Sequence, residues 1–166
     1  MKTKLMQFLI IIVFSTLAVG GNLAFDTKYS IKDIRAHLFH QSTGEINPAN
    51  LLDGKSHVLW NTPIGEGEAL SPSGAVLVVI EIMGPSFSRE LDAKLVVKAI
   101  TGNKTLLDKS LILGDWFCSG NKISLPFLIY GTGCGDLEIT ARLDGLPDEA
   151  MGEGTLTKTI PFRCGE

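Results

Sequence analysis

Apolar and polar positions alternate with a period of two over most of the chain, and that alternation predicts short, half-buried β-strands. It is clearest near the C-terminus. Leu137, Ile139, Ala141 and Leu143 interleave with Glu138, Thr140 and Arg142, and Leu156, Ile160 and Phe162 interleave with Thr157, Thr159 and Arg163. A stretch rich in Gly, Pro and acidic residues, including Asp144, Gly145, Pro147, Asp148, Glu149, Gly152, Glu153 and Gly154, lies between them. Two such runs around a turn-rich loop read as an antiparallel pair. The expected register sets Leu137 opposite Phe162 and Ile139 opposite Ile160.

The earlier chain carries the same signal. Residues 32–40 place Ile34, Ala36 and Leu38 between Arg35, His37 and Phe39, a strand pattern with a helix as its competitor because β-branched residues are few. Residues 45–55 read as a polar loop, 57–61 as a short strand carrying Trp60, and 63–74 as a long Gly/Pro loop. Residues 75–83, Ala-Val-Leu-Val-Val-Ile-Glu-Ile-Met, are apolar on both faces until Glu81. They predict a central strand covered on both sides, or part of an interface. After a loop over 85–92, strands over 93–100 and 105–113 flank the tight turn Thr101, Gly102, Asn103, Lys104. Residues 123–130 form a further strand, which Pro126 confines to an edge or a bulge. Seven or eight short strands with evenly spaced turns, and no strong amphipathic helix, predict an all-β antiparallel sandwich.

Residues 1–21 stand apart from this pattern. Lys2 and Lys4 precede an apolar run over 8–18, and Ala18, Val19 and Gly20 supply small residues for cleavage after Gly20 or Gly21. This is the layout of a secretory signal peptide. The competing reading is an uncleaved anchor, since no charge falls between Lys4 and Asp26. A single sandwich domain over 22–166 is expected, exported to the periplasm or secreted.

Charge and cysteines narrow the picture. Without Lys2 and Lys4, thirteen Lys and Arg face eighteen Asp and Glu, a net charge near −5 with no basic stripe. Neither nucleic acid nor an anionic membrane surface is a fitting partner, because both need clustered cations. Export implies an oxidising compartment, where three cysteines, Cys118, Cys134 and Cys164, give one disulfide and one thiol. Cys134–Cys164 is the preferred bond. The expected register leaves that pair one residue out of phase, which a β-bulge between Gly133 and Gly135 would absorb. Cys118–Cys134 is the alternative.

Catalytic and metal chemistry find little support. On a strand, His37 and His40 point to opposite faces and do not chelate one ion together, so they read as surface histidines. Loop acids at Glu66 and Glu68, and at Asp144 to Glu153, lack calcium-loop spacing. Cys118 is the candidate thiol nucleophile, but no histidine neighbours it in sequence. Gly65 and Gly67 alternate with acids that would repel phosphate. Asn103-Lys104-Thr105 matches a glycosylation sequon at a hairpin tip, of consequence only in a eukaryotic host. Trp60, Glu66, Glu68 and Trp116 are the candidate ligand-binding residues for a carbohydrate or small molecule. No cofactor or metal is implied.

The segment Leu59-Trp60-Asn61 with Ile64-Gly65-Glu66-Gly67-Glu68, the Gly131-Thr132-Gly133-Cys134 turn and the terminal Ile160-Pro161-Phe162-Arg163-Cys164-Gly165-Glu166 resemble small exported bacterial proteins of unassigned function. That resemblance spans most of the mature chain and implies an immunoglobulin-like sandwich. The expected function is a non-catalytic binding or structural module for another exported or cell-surface protein. The alternatives are sugar binding through Trp60 and Trp116, and thiol chemistry at Cys118.

Overall fold

The computed structural model describes residues 28–53, 75–85, 90–114 and 121–162. Among them lie eight antiparallel strands: β1 (Ser30–His40), β2 (Glu45–Ile46), β3 (Ala75–Met83), β4 (Glu90–Thr101), β5 (Lys104–Gly114), β6 (Lys122–Tyr130), β7 (Asp136–Asp144) and β8 (Thr155–Pro161). They form two four-stranded sheets, β2-β1-β3-β6 and β5-β4-β7-β8. The all-β sandwich expected from the alternation is the fold. The chain crosses between sheets from β3 to β4, from β5 to β6 and from β6 to β7.

Alternation decides which side chains meet inside. Ile34, Ala36 and Leu38 of β1, Val76, Val78, Ile80 and Ile82 of β3, and Leu125, Phe127 and Ile129 of β6 are all buried. So are Ala93, Leu95, Val97 and Ala99 of β4, Leu137, Ile139, Ala141 and Leu143 of β7, and Ile160 of β8. These positions form one core cluster. Sheet 1 supplies mostly Ile, Val, Leu and Phe; alanines at 93, 99 and 141 in sheet 2 leave room for those larger side chains, as interdigitating layers about 10 Å apart require.

The segment after β2 seals one side of the first sheet. Asn47 N donates to Leu38 O at 2.9 Å and Leu51 N to Ala36 O at 2.8 Å. Asn50 Oδ1 accepts from Ala36 N at 3.0 Å and from Leu52 N at 3.2 Å. A side-chain amide therefore does the work of an absent strand on the edge of β1. Residues 45–53 thus hold a two-residue strand and a buried Leu51 where a polar loop was expected.

At the other end, the start of β1 is clasped to the β7–β8 connection. Tyr29 N donates to Ala150 O at 2.9 Å, Gly152 N to Tyr29 O at 2.8 Å and Ile31 N to Glu153 O at 2.9 Å. Tyr29 is 2 % exposed. The connection contains a 3-10 turn over Asp148–Ala150 that alternation did not predict. Gly145 begins it in left-handed backbone, with φ 78°.

Two expectations are corrected. In the β7–β8 ladder Leu137 faces Ile160 and Ile139 faces Lys158, two residues from the expected register. Phe162 is buried but has left the ladder: beyond Pro161 its N–H donates to Ile160 O at 3.0 Å in a tight turn. Around Cys134, β7 begins only at Asp136, and Gly131 and Gly133 take φ 66° and 68°. The residues between β6 and β7 are a turn that changes sheet, not a bulge in a ladder.

Candidate interaction surface

The sequence-derived ligand residues Trp60, Glu66, Glu68 and Trp116, together with Cys118 and Cys164, lie outside the described residues. Cys134 is exposed in the turn before β7. The two histidines separate as alternation requires. His37 is half-buried on the outer side of β1, and its Nδ1–H donates to Asn47 O at 3.1 Å. His40 is 2 % exposed, so it is a buried residue and not the surface histidine expected. Among the described residues no group of three His, Cys, Asp or Glu could hold a metal ion, and no helix is long and apolar enough to cross a membrane.

The feature with chemical character is the outer face of the first sheet. Its register lays out four cross-strand rows on β1, β3 and β6. The first row is Phe39, Ala75 and Tyr130; the second is His37, Leu77 and Leu128; the third is Arg35, Val79 and Pro126; the fourth is Asp33, Glu81 and Ser124. Ladder partners on one face sit close enough to act as one surface. The first three rows are therefore a largely apolar band crossing all three strands, interrupted by His37 and Arg35 on β1; Phe39, Leu77, Val79 and Leu128 are half-buried in it and Ala75 is fully buried. Tyr130 is 54 % exposed at its corner.

A charged border closes that band. Glu81 Oε2 accepts from Lys122 Nζ at 2.7 Å and lies 3.8 Å from Arg35 Nη2, while Arg35 Nε lies 4.0 Å from Asp33 Oδ2. Glu81 is the least exposed member, its side chain at 18 %. Acid lies on the β1 flank and Lys122 on the β6 flank. Such pairs stabilise the fold by no more than roughly 1 kcal/mol each; their consequence is a polar rim beside an apolar centre.

The outer face of the second sheet has a different composition. Lys94, Lys98, Glu138, Thr140, Arg142, Thr155, Thr157 and Thr159 dominate it. Thr140 and Thr157 share a hydroxyl hydrogen bond at 3.0 Å, and Arg142 Nη2 reaches Asp144 Oδ2 at 2.9 Å. Val96 and Ile100 are half-buried within it, and Ile112, paired with Lys94, is 60 % exposed.

The open strand edges are blunted. In β5, Lys109 pairs with Val97, whose side chain faces the core; in β8, Lys158 pairs with Ile139, which does the same. Both lysines thus occupy the core-side face of an edge strand, a placement that disfavours strand addition. Pro126 removes a donor from the middle of β6, and the ladder between β4 and β5 shifts between Ala99 and Ile100. Sequence reasoning found the apolar outer side of β3 and the edge role of β6. It did not find that Phe39, Leu128 and Tyr130 join β3 in one band, because that follows from strand order. No protein-family model matches the chain, and no curated protein is similar to it.

Proposed function

We propose that this chain is an exported, non-catalytic interaction module, an immunoglobulin-like sandwich that docks protein on the outer face of sheet β2-β1-β3-β6. The observation carrying the reading is the apolar band on that face, with Tyr130 at 54 % exposure beside Phe39 and Leu128. A band of aromatic, Leu, Pro and Arg side chains with a charged rim is the composition of a docking surface. The opposite face is dominated by Lys, Arg, Glu and Thr, with Ile112 its one strongly exposed large apolar side chain among the described residues, and the edges are blunted. The connectivity supports the immunoglobulin-like assignment: β1, β3 and β6 make one sheet and β4, β7 and β8 the other, joined by three crossings. The signal pattern of residues 1–21 supports export.

A Cys134–Cys164 disulfide fits the same reading. Cys134 follows the end of β6 and precedes β7, whose first residue Asp136 pairs with Pro161, three residues before Cys164 in sequence. In sequence, Cys118 precedes β6 and Cys134 follows it, and this nine-residue strand is about 26–30 Å long. A disulfide needs Cα atoms within about 7 Å.

Photo-crosslinking tests the function. A benzoylphenylalanine at Leu128 is expected to give a protein–protein adduct in the exported fraction, and the same probe at Thr157 none. Equal adducts from both positions, or none from either, would overturn the reading.

A further inference from the structure

Resting on the export reading of residues 1–21, we infer that Asn103 is an acceptor for N-linked glycosylation, taking a single oligosaccharide from a polyprenyl-diphosphate donor in a eukaryotic secretory pathway. Three features meet at that residue. The sequence there is Asn103-Lys104-Thr105, an asparagine with a hydroxyl two residues on and no proline between. The fold brings it to the turn between β4 and β5, where the ladder closes on the Thr101–Lys104 pair and leaves Gly102 and Asn103 beyond it. Asn103, Lys104 and Thr105 are all exposed, so the acceptor amide, the spacer and the hydroxyl are reachable together.

The other asparagines set this one apart. The chain has six, and Asn103 alone has Ser or Thr at the second position after it. Asn121 is the closest comparison. It is also exposed and also followed by a lysine, Lys122, but the next residue is Ile123, which has no hydroxyl. Asn47 and Asn50 are engaged in the structure: Asn47 Oδ1 accepts from Ala49 N at 2.9 Å, and Asn50 Oδ1 from Ala36 N at 3.0 Å. No side-chain hydrogen bond holds Asn103 among the described residues.

The transfer is a substitution at the sugar. Asn103 Nδ2 forms a bond to the anomeric carbon of the first sugar. The bond from that carbon to the diphosphate oxygen breaks, the polyprenyl diphosphate leaves with the electron pair, and one amide proton is released. Nothing is oxidised or reduced. The place suits the product. A glycan is bulky and solvated and needs a surface position, and an exposed loop tip accepts additions because little packs against it. Thr101, at the base of the turn, pairs with Lys104 on one side and with Leu137 of β7 on the other, so the glycan is added beyond a strand held from both sides.

Expression of the full chain in a eukaryotic secretory host tests this. The secreted protein is expected to carry one glycan, read as a discrete gain in mass that peptide N-glycosidase removes, with the glycosylated position located at Asn103 by peptide mass spectrometry. Asn103→Gln and Thr105→Val are expected to abolish the gain and Thr105→Ser to retain it. All three are expected to keep the wild-type melting temperature, which separates a lost acceptor from a lost fold. Secreted wild type without a glycan, or a gain in mass that survives Asn103→Gln, would overturn the inference. A full chain that is not secreted refutes the export reading alone. The same measurement on residues 22–166 behind the host's own leader then decides the acceptor: a glycan on Asn103 sustains it, and an unmodified secreted chain overturns it.

Discussion

Gly145→Ala is expected to be among the most damaging single-methyl changes in this protein, and its cost divides into two parts. Gly145 ends β7 at φ 78°, a region that costs an L-residue about 1–2 kcal/mol. A Cβ there would also fall 3.0 Å from the backbone carbonyl carbon of Asp92 and closer still to its oxygen. The obstacle is backbone of the neighbouring strand, not a flexible side chain, so β4 or the turn must move. Forced overpacking of this kind costs a further ~1–3 kcal/mol, for a total of about 2–5 kcal/mol. Gly131→Ala supplies the reference: it has φ 66° but meets nothing within 4 Å of the added Cβ. Its strain of about 1–2 kcal/mol is partly offset by about 0.4–1 kcal/mol from restricting the unfolded chain. Equilibrium urea unfolding followed by circular dichroism measures both. With a slope of about 1–3 kcal/mol per molar urea, Gly145→Ala should lower the midpoint by on the order of 1–2 M and Gly131→Ala by a fraction of that. Equal midpoints for the two variants would refute the close approach of Gly145 to Asp92.

Other consequences follow from the same structure. Asn50→Ala removes the acceptor for Ala36 N and Leu52 N and should cost about 1–3 kcal/mol in urea unfolding; Asn50→Asp should retain most of that stability. Lys109→Val with Lys158→Val should leave the unfolding midpoint unchanged or higher yet raise light scattering on prolonged incubation, because both edges of the second sheet become open to strand addition. The proposed Cys134–Cys164 bond predicts that Cys134→Ser costs ~3–4 kcal/mol through loss of a closed loop of about 30 residues, and that reductant destabilises wild type but not the variant; no change in either would remove the bond.

The fold was legible wherever one residue type had one structural meaning. Pro126 cannot donate to a ladder, so β6 had to be an edge, and it is. The apolar run of residues 75–83 predicts a central strand, and β3 lies between β1 and β6; on its outer face Leu77 and Val79 are half-buried. Gly102 and Asn103 gave the β4–β5 turn, where Gly102 takes φ 53°. The register of β7 and β8 was not legible, because alternation makes Phe162 a ladder position whereas it is buried past the end of β8, beyond the turn at Pro161. The Asn50 seal on β1 was illegible for a related reason. It depends on a segment returning from fourteen residues away, and local alternation carries no record of that return. The candidate surface was half legible. Leu77 and Val79 stand out in the run of β3, but Phe39, Leu128 and Tyr130 become their neighbours only through the strand order.

The claim on which the functional account rests is that the outer face of sheet β2-β1-β3-β6 is where this protein meets protein. Photo-crosslinking from benzoylphenylalanine placed in turn at Leu77, Val79, Leu128, Thr140 and Thr157 of the exported chain measures it directly. The account predicts protein adducts from Leu77, Val79 and Leu128 and none from Thr140 and Thr157. Adducts confined to the second sheet, or none at any position, would contradict it.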